Sequence, residues 1–132
     1  MFNYRNLSDY DFELLCRDIM EKKLSKELRC FAPGRDGGVD ITEKEQSNEV
    51  VIQVKHYLKS PFSQLKSSLQ KELPQVRKLN PSHYYVCCAK ELTADNIDEI
   101  YGIFSDFMDG PQNVIDLEEI DKFLHEPENA DV

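Results

Sequence analysis

No run of eighteen apolar residues occurs in this chain of 132 residues, which excludes a membrane-spanning helix. The opening stretch MFNYRNLSDYDFE lacks the basic start and apolar middle of a secretion signal, so a cytoplasmic location is expected. Cysteine is sparse and badly spaced for a metal. The four are Cys16, Cys30, Cys87 and Cys88, and no two have the CxxC spacing of a zinc site. Reduced, buried thiols are the expectation. Internal repeats and low-complexity tracts are absent. Basic charge is nearly absent from the last third, where residues 91–132 hold one Lys/Arg against thirteen Asp/Glu. With a net charge of −9, indiscriminate nucleic-acid binding by the whole surface is disfavoured.

What is present is enough for a single core. Apolar residues make up 40% of the chain, and the length suits one domain. The acidic total hides a basic middle: residues 49–80 hold six Lys/Arg against two Asp/Glu. That segment reads either as a solvated helix face or as a local phosphate-binding surface, which needs only a patch.

Periodicity orders the elements. LSDYDFELLCRDIMEKK predicts a helix with Ser8 as N-cap, Asp11 at the capping-box position and Leu7 and Phe12 as a staple. Phe12, Leu15, Cys16 and Ile19 make its buried stripe. ELRCFAP, VDITEK and EVVIQVKHY predict three strands joined by short turns, hence an antiparallel meander. SPFSQLKSSLQKELPQVRKLN predicts a helix starting near Ser60 and Pro61 and interrupted at Pro74. SHYYVCCAK is continuously apolar, as a central strand buried on both faces would be. A helix capped by Thr93, a short strand NVIDL and a last short helix complete the order α-β-β-β-α-β-α-β-α. Residues 1–126 read as one domain, and 127–132 as a polar tail that either ends the protein or links to a further region.

The chemistry concentrates in GRDGGVD, residues 34–40, and IQVKH, residues 52–56. Gln53 and Lys55 are two apart on a strand, so they share a face. Asp40 lies at the start of the neighbouring hairpin strand and can sit beside them. A Gln and a Lys two apart often mark only a solvated face. With Asp40 they also make a plausible hydrolytic set. Asp40 and the Gln53 carbonyl are hard oxygen ligands suited to Mg²⁺, which generates a nucleophilic water and stabilises charge on a phosphoryl oxygen. Lys55 can orient that water or offset charge in the transition state. Glu13, beside the stripe of the first helix, is a further candidate ligand. Gly37 and Gly38 permit unusual backbone angles, for a tight turn or for close approach of another backbone.

Together, GRDGGVD and IQVKHY resemble the Mrr-like branch of the PD-(D/E)xK nuclease superfamily, which carries G-x-D-G-G-x-D followed by Q-x-K. YDFELLC resembles that branch's first helix, with an acid at the position of Glu13. The later strand and LTADN resemble its fourth core strand and following helix, so the resemblance runs from residue 7 to about residue 120. It implies an α/β, restriction-endonuclease-like fold: a mixed central β-sheet with an α-β-β-β-α-β core, flanked by helices. It implies Asp40, Gln53 and Lys55 as the catalytic set, Glu13 in support, and Asp36 with Gly37 and Gly38 shaping the turn. The implied activity is Mg²⁺-dependent hydrolysis of phosphodiesters in double-stranded DNA, with Mn²⁺ able to substitute. Gln53 departs from the carboxylate of the wider superfamily, so weak metal affinity is expected until DNA phosphates complete the metal's shell.

Arg35, His56, Tyr57, Lys59, Gln64, Lys66 and Lys71 are the candidates for phosphate contacts. FSQLKSSLQKELPQVRKLNP is similar to the N-terminal nuclease module fused to STAND-type ATPases in bacterial anti-phage proteins. That resemblance implies an effector domain with a fused ATPase and sensor region, which self-associates to cut both strands. Two other functions fit the same fold: a junction-resolvase-type nuclease, and an inactive nuclease-like module for DNA binding or oligomerisation.

Overall fold

Ser8 opens the first helix: its hydroxyl accepts a hydrogen bond from the Asp11 amide at 3.1 Å. The helix, α1, spans Asp9–Leu24 and buries Phe12, Cys16, Ile19 and Met20; of the predicted stripe Leu15 is only partly buried, and Met20 joins it. It ends at Ser25, whose backbone is left-handed with φ 55°. Glu21 then accepts the Leu28 amide at 2.9 Å and ties the chain's return to the helix. A computed structural model describes residues 8–25, 27–30, 41–43, 49–55 and 61–126. The expected staple residue Leu7 lies outside them.

Three strands follow: β1 (Leu28–Cys30), β2 (Ile41–Glu43) and β3 (Val50–Lys55). Both pairings are antiparallel, with Cys30 opposite Ile41 and Ile41 opposite Ile52, so the predicted meander is present. The helix α2 (Phe62–Leu79) then returns the chain to β4 (His83–Cys88). A connection of this length is what parallel pairing requires, and β4 pairs parallel to β3. Next come α3 (Ala94–Phe104), a single 3₁₀ turn at Pro111–Asn113, β5 (Val114–Ile115) and α4 (Leu117–Leu124). β5 is parallel to β4. The sheet order is β1-β2-β3-β4-β5, a mixed sheet consistent with a restriction-endonuclease-like α/β fold.

One expectation needs correction. Pro74 does not interrupt the second helix: α2 is continuous from Phe62 to Leu79 with the proline inside it. Pro74 is exposed, so its ring and the lost amide bond face away from the sheet. Leu65 and Leu69 before it and Val76 after it are buried in the same core. Their burial, about 1.5–3 kcal/mol each, outweighs the roughly 3 kcal/mol cost of an interior proline.

The sheet is covered on both faces. Val50, Ile52 and Val54 pack with α1 and with Ile120 of α4. Val51 packs on the other side with Leu65 and Leu69 of α2 and Ile100 and Phe104 of α3. This explains why β3 and β4 read as unbroken apolar runs. Thr93 caps α3 in a reciprocal capping box with Asn96. Asp116 caps α4 and is itself buried; it accepts the Glu119 amide at 3.0 Å and the Leu92 amide at 2.9 Å. Buried Asn113 donates to the Tyr84 carbonyl at 2.9 Å and so fixes the 3₁₀ turn to β4.

Candidate active site

Alternation along β3 decides where its polar residues go. Val51, Gln53 and Lys55 share one face, and Val51 places that face under α2 and α3. Gln53 is only 3% exposed. An amide at that depth costs free energy unless its polar atoms are engaged. Lys55 ends the strand and is half-buried. Its carbonyl accepts the Ala89 amide at 3.1 Å, and in register it lies opposite Cys88 of β4. Lys55 therefore sits at the carboxyl end of β3, beside that of parallel β4 and two residues beyond Gln53, where open α/β sheets commonly bind ligands.

A residue that the sequence reading passed over stands beside them. Glu72 of α2 lies with an oxygen 3.8 Å from Lys55 Nζ, and the two side chains are 21% and 15% exposed. Its position is legible in hindsight. Leu65, Leu69 and Val76 form the sheet-facing stripe of α2, and Glu72 is three residues after Leu69 and four before Val76. An acid in the apolar row of a helix is the signal, and the charge hid it.

Cys88, next to Lys55 across the strands, is no nucleophile. Burial pushes its thiol up to about 12, far from the thiolate form that reacts. Cys16, Cys87 and Cys88 are free, buried thiols, as expected.

Glu13 is buried, at 6% exposed. Its helix packs against β1 and β3 on the Val50–Ile52–Val54 side, so it approaches the sheet from the layer opposite to Glu72. Of the candidate phosphate contacts, Gln64 and Lys71 are exposed on α2, seven residues apart and hence on one side of the helix. Lys66 lies on the other side and pairs with Glu99 of α3 at 2.7 Å. The three do not form one patch. Arg35, Asp36, Gly37, Gly38, Asp40, His56, Tyr57 and Lys59 lie outside the described residues. The described neighbours of Asp40 and Gln53 do meet: Ile41, next after Asp40, pairs with Ile52, next before Gln53. Among the described residues no group of three His, Cys, Asp or Glu could hold a metal. The Gln53 carbonyl and the Glu13 carboxylate are oxygen donors of the hard type that suits Mg²⁺, but they approach from opposite layers of the sheet.

Residues 4–92 match the profile of Mrr_cat, a family described as restriction endonuclease. The match runs from before α1 to just beyond β4 and includes Glu13, Gln53, Lys55 and Glu72. The chain is also similar to the uncharacterized protein y4cD of Sinorhizobium fredii (strain NBRC 101917 / NGR234), with 28% identity over 123 residues. Those residues are 93% of this chain and 19% of that protein, so the chain spans about a fifth of that relative's length. No solved structure gives a significant match.

Proposed function

The chain belongs to the restriction endonuclease family Mrr_cat, and we propose that it is a metal-dependent endodeoxyribonuclease domain whose chemistry is carried by Asp40, Gln53 and Lys55. The observation that carries this reading is the shared face of β3: a buried amide and a half-buried lysine at a strand end, in a family of nucleases.

The residues have separable tasks. Asp40 and the Gln53 carbonyl would hold Mg²⁺; Glu13, which approaches from the opposite layer of the sheet, would support the site from that side rather than as a ligand beside Gln53. The ion supplies an activated water and charge stabilisation for phosphoryl transfer. Lys55 orients the attacking water toward phosphorus and offsets charge on the non-bridging oxygens as the ester P–O bond breaks. Gln53 adds no charge to the site, so the substrate's phosphate is the natural source of the missing anionic ligand. Asp36, Gly37 and Gly38 shape the turn that delivers Asp40. Arg35, His56, Tyr57, Lys59, Gln64 and Lys71 contact the DNA backbone and set its position without reading bases.

The wider setting is also proposed. The domain is the effector of a bacterial restriction or anti-phage system, with residues 127–132 a linker to a STAND-type ATPase and sensor region. Self-association would bring two sites to the two strands. The sequence resemblance of the α2 segment supports this, as does a relative in which the matching stretch is 19% of the length. A source reading frame that stops directly after Val132 would remove the fusion.

Cleavage of supercoiled and linear duplex DNA with Mg²⁺ and with Mn²⁺ tests the activity. Wild type is expected to cut at concentrations that force association. Asp40→Ala and Lys55→Ala are expected to lose at least about 100-fold in rate, the scale of a positioned catalytic group. No cutting by wild type in either metal at any concentration would favour the inactive binding module.

A further inference from the structure

We propose that Glu72 is a positioning residue that holds the Lys55 side chain on the Gln53 face of β3. The inference deepens the nuclease reading and rests on it. Three observations converge. Glu72 occupies a place in the row of α2 that otherwise buries Leu65, Leu69 and Val76. Acids are rare in such rows unless paired. Its oxygen lies 3.8 Å from Lys55 Nζ, within ion-pair range but longer than a direct hydrogen bond. Both side chains are largely removed from water, at 15% and 21% exposed, so the attraction is screened less than it would be at the surface.

Packing fixes the two partners from both sides. Val51, two strand positions before Gln53, packs in one core with Leu65 and Leu69. The same helix and strand therefore carry both the apolar contact and the ion pair. A lysine at the end of a strand has a long, flexible stem. A carboxylate anchored on a packed helix narrows the directions that its ammonium can take, and reaction rates fall steeply when a catalytic group is displaced by an ångström. Elsewhere on α2, Lys66 is occupied with Glu99, so the helix has an outward pair toward α3 and an inward pair toward β3.

The test compares wild type with Glu72→Gln, Glu72→Asp and Glu72→Leu in the full chain. Single-turnover cleavage, DNA affinity without metal, thermal unfolding and the mobility of the Lys55 side chain by ¹³C-labelled-lysine NMR are measured together. Glu72→Gln is expected to cut about 10- to 100-fold more slowly, with DNA affinity unchanged and the Lys55 methylenes more mobile. Glu72→Asp is expected to recover part of both. Glu72→Leu completes an apolar row and is expected to fold at least as well as wild type while cutting as poorly as Glu72→Gln. Wild-type cutting by Glu72→Leu would overturn the proposal, as would unaltered Lys55 mobility in Glu72→Gln. If wild type itself does not cut, the nuclease reading fails by that result, and the NMR measurement still decides whether Glu72 holds Lys55.

Discussion

At the scale of single residues, three side chains show what a sequence can and cannot announce. Gln53 and Lys55 were legible because β-strand alternation is a local rule: two residues apart means one face. Glu72 was not, since its meaning depends on a partner seventeen positions away and on α2 lying over that face. Cys88 gives a residue-scale prediction. Its thiol is pushed up to about 12 by burial, against an ordinary value of 9.0. The unfolded chain releases this proton first as the pH rises. Stability is therefore intact below pH 9 and declines between pH 9 and 12, by an amount approaching about 4 kcal/mol at the upper end. Urea denaturation of wild type and Cys88→Ala across that range checks it. The loss with rising pH should be smaller in the variant. Native Cys88 should also resist alkylation at pH 8 and react only on unfolding.

At the scale of elements, the order of the nine helices and strands among the described residues follows from periodicity and caps. Ser8 and Thr93 mark helix starts in sequence and accept the expected amide bonds in the structure. The antiparallel meander was readable because its predicted turns are short, and the central place of β4 because both of its faces are apolar; its parallel pairing comes from the structure. Pro74 was misjudged for a physical reason. A local rule about proline competes with burial of residues on both sides of it, and burial depends on a tertiary surface that the local sequence does not contain. Replacing it is the corresponding prediction. Pro74→Ala restores an amide donor within α2 at an exposed position, while the unfolded chain gains freedom worth about 0.4–1 kcal/mol. The net change expected is stabilisation by about 2 kcal/mol, read as a higher urea midpoint with an unchanged slope. A lower midpoint would mean that α2 relies on the proline itself.

At the scale of the whole molecule, charge is divided along the chain. The acidic last third supplies α3, α4 and the turn between them, and one of its acids, Glu99, already neutralises Lys66. Of the six Lys/Arg in residues 49–80, Lys55 faces Glu72 and Lys66 faces Glu99. Lys59, Lys71, Arg77 and Lys78 of this segment, with the proposed contact Arg35, make five basic side chains for phosphate. The logarithm of DNA affinity should therefore fall against the logarithm of salt with a slope no steeper than about five. A titration between low and moderate salt measures it. A slope near ten would require a basic surface that this segment does not provide.

Asp116 clasps the amide of Leu92, the last residue of the family match, while β5 closes the open side of β4 at Val86 and Cys87. The recognisable motif and the folding unit therefore have different limits. As the chain leaves the ribosome, the motif is complete by residue 92, yet β4 keeps an unpaired edge until residues 114–115 emerge. At about 5–20 residues per second that interval lasts a second or more. A nascent motif therefore waits with one strand edge bare, and the segment that follows it completes the sheet.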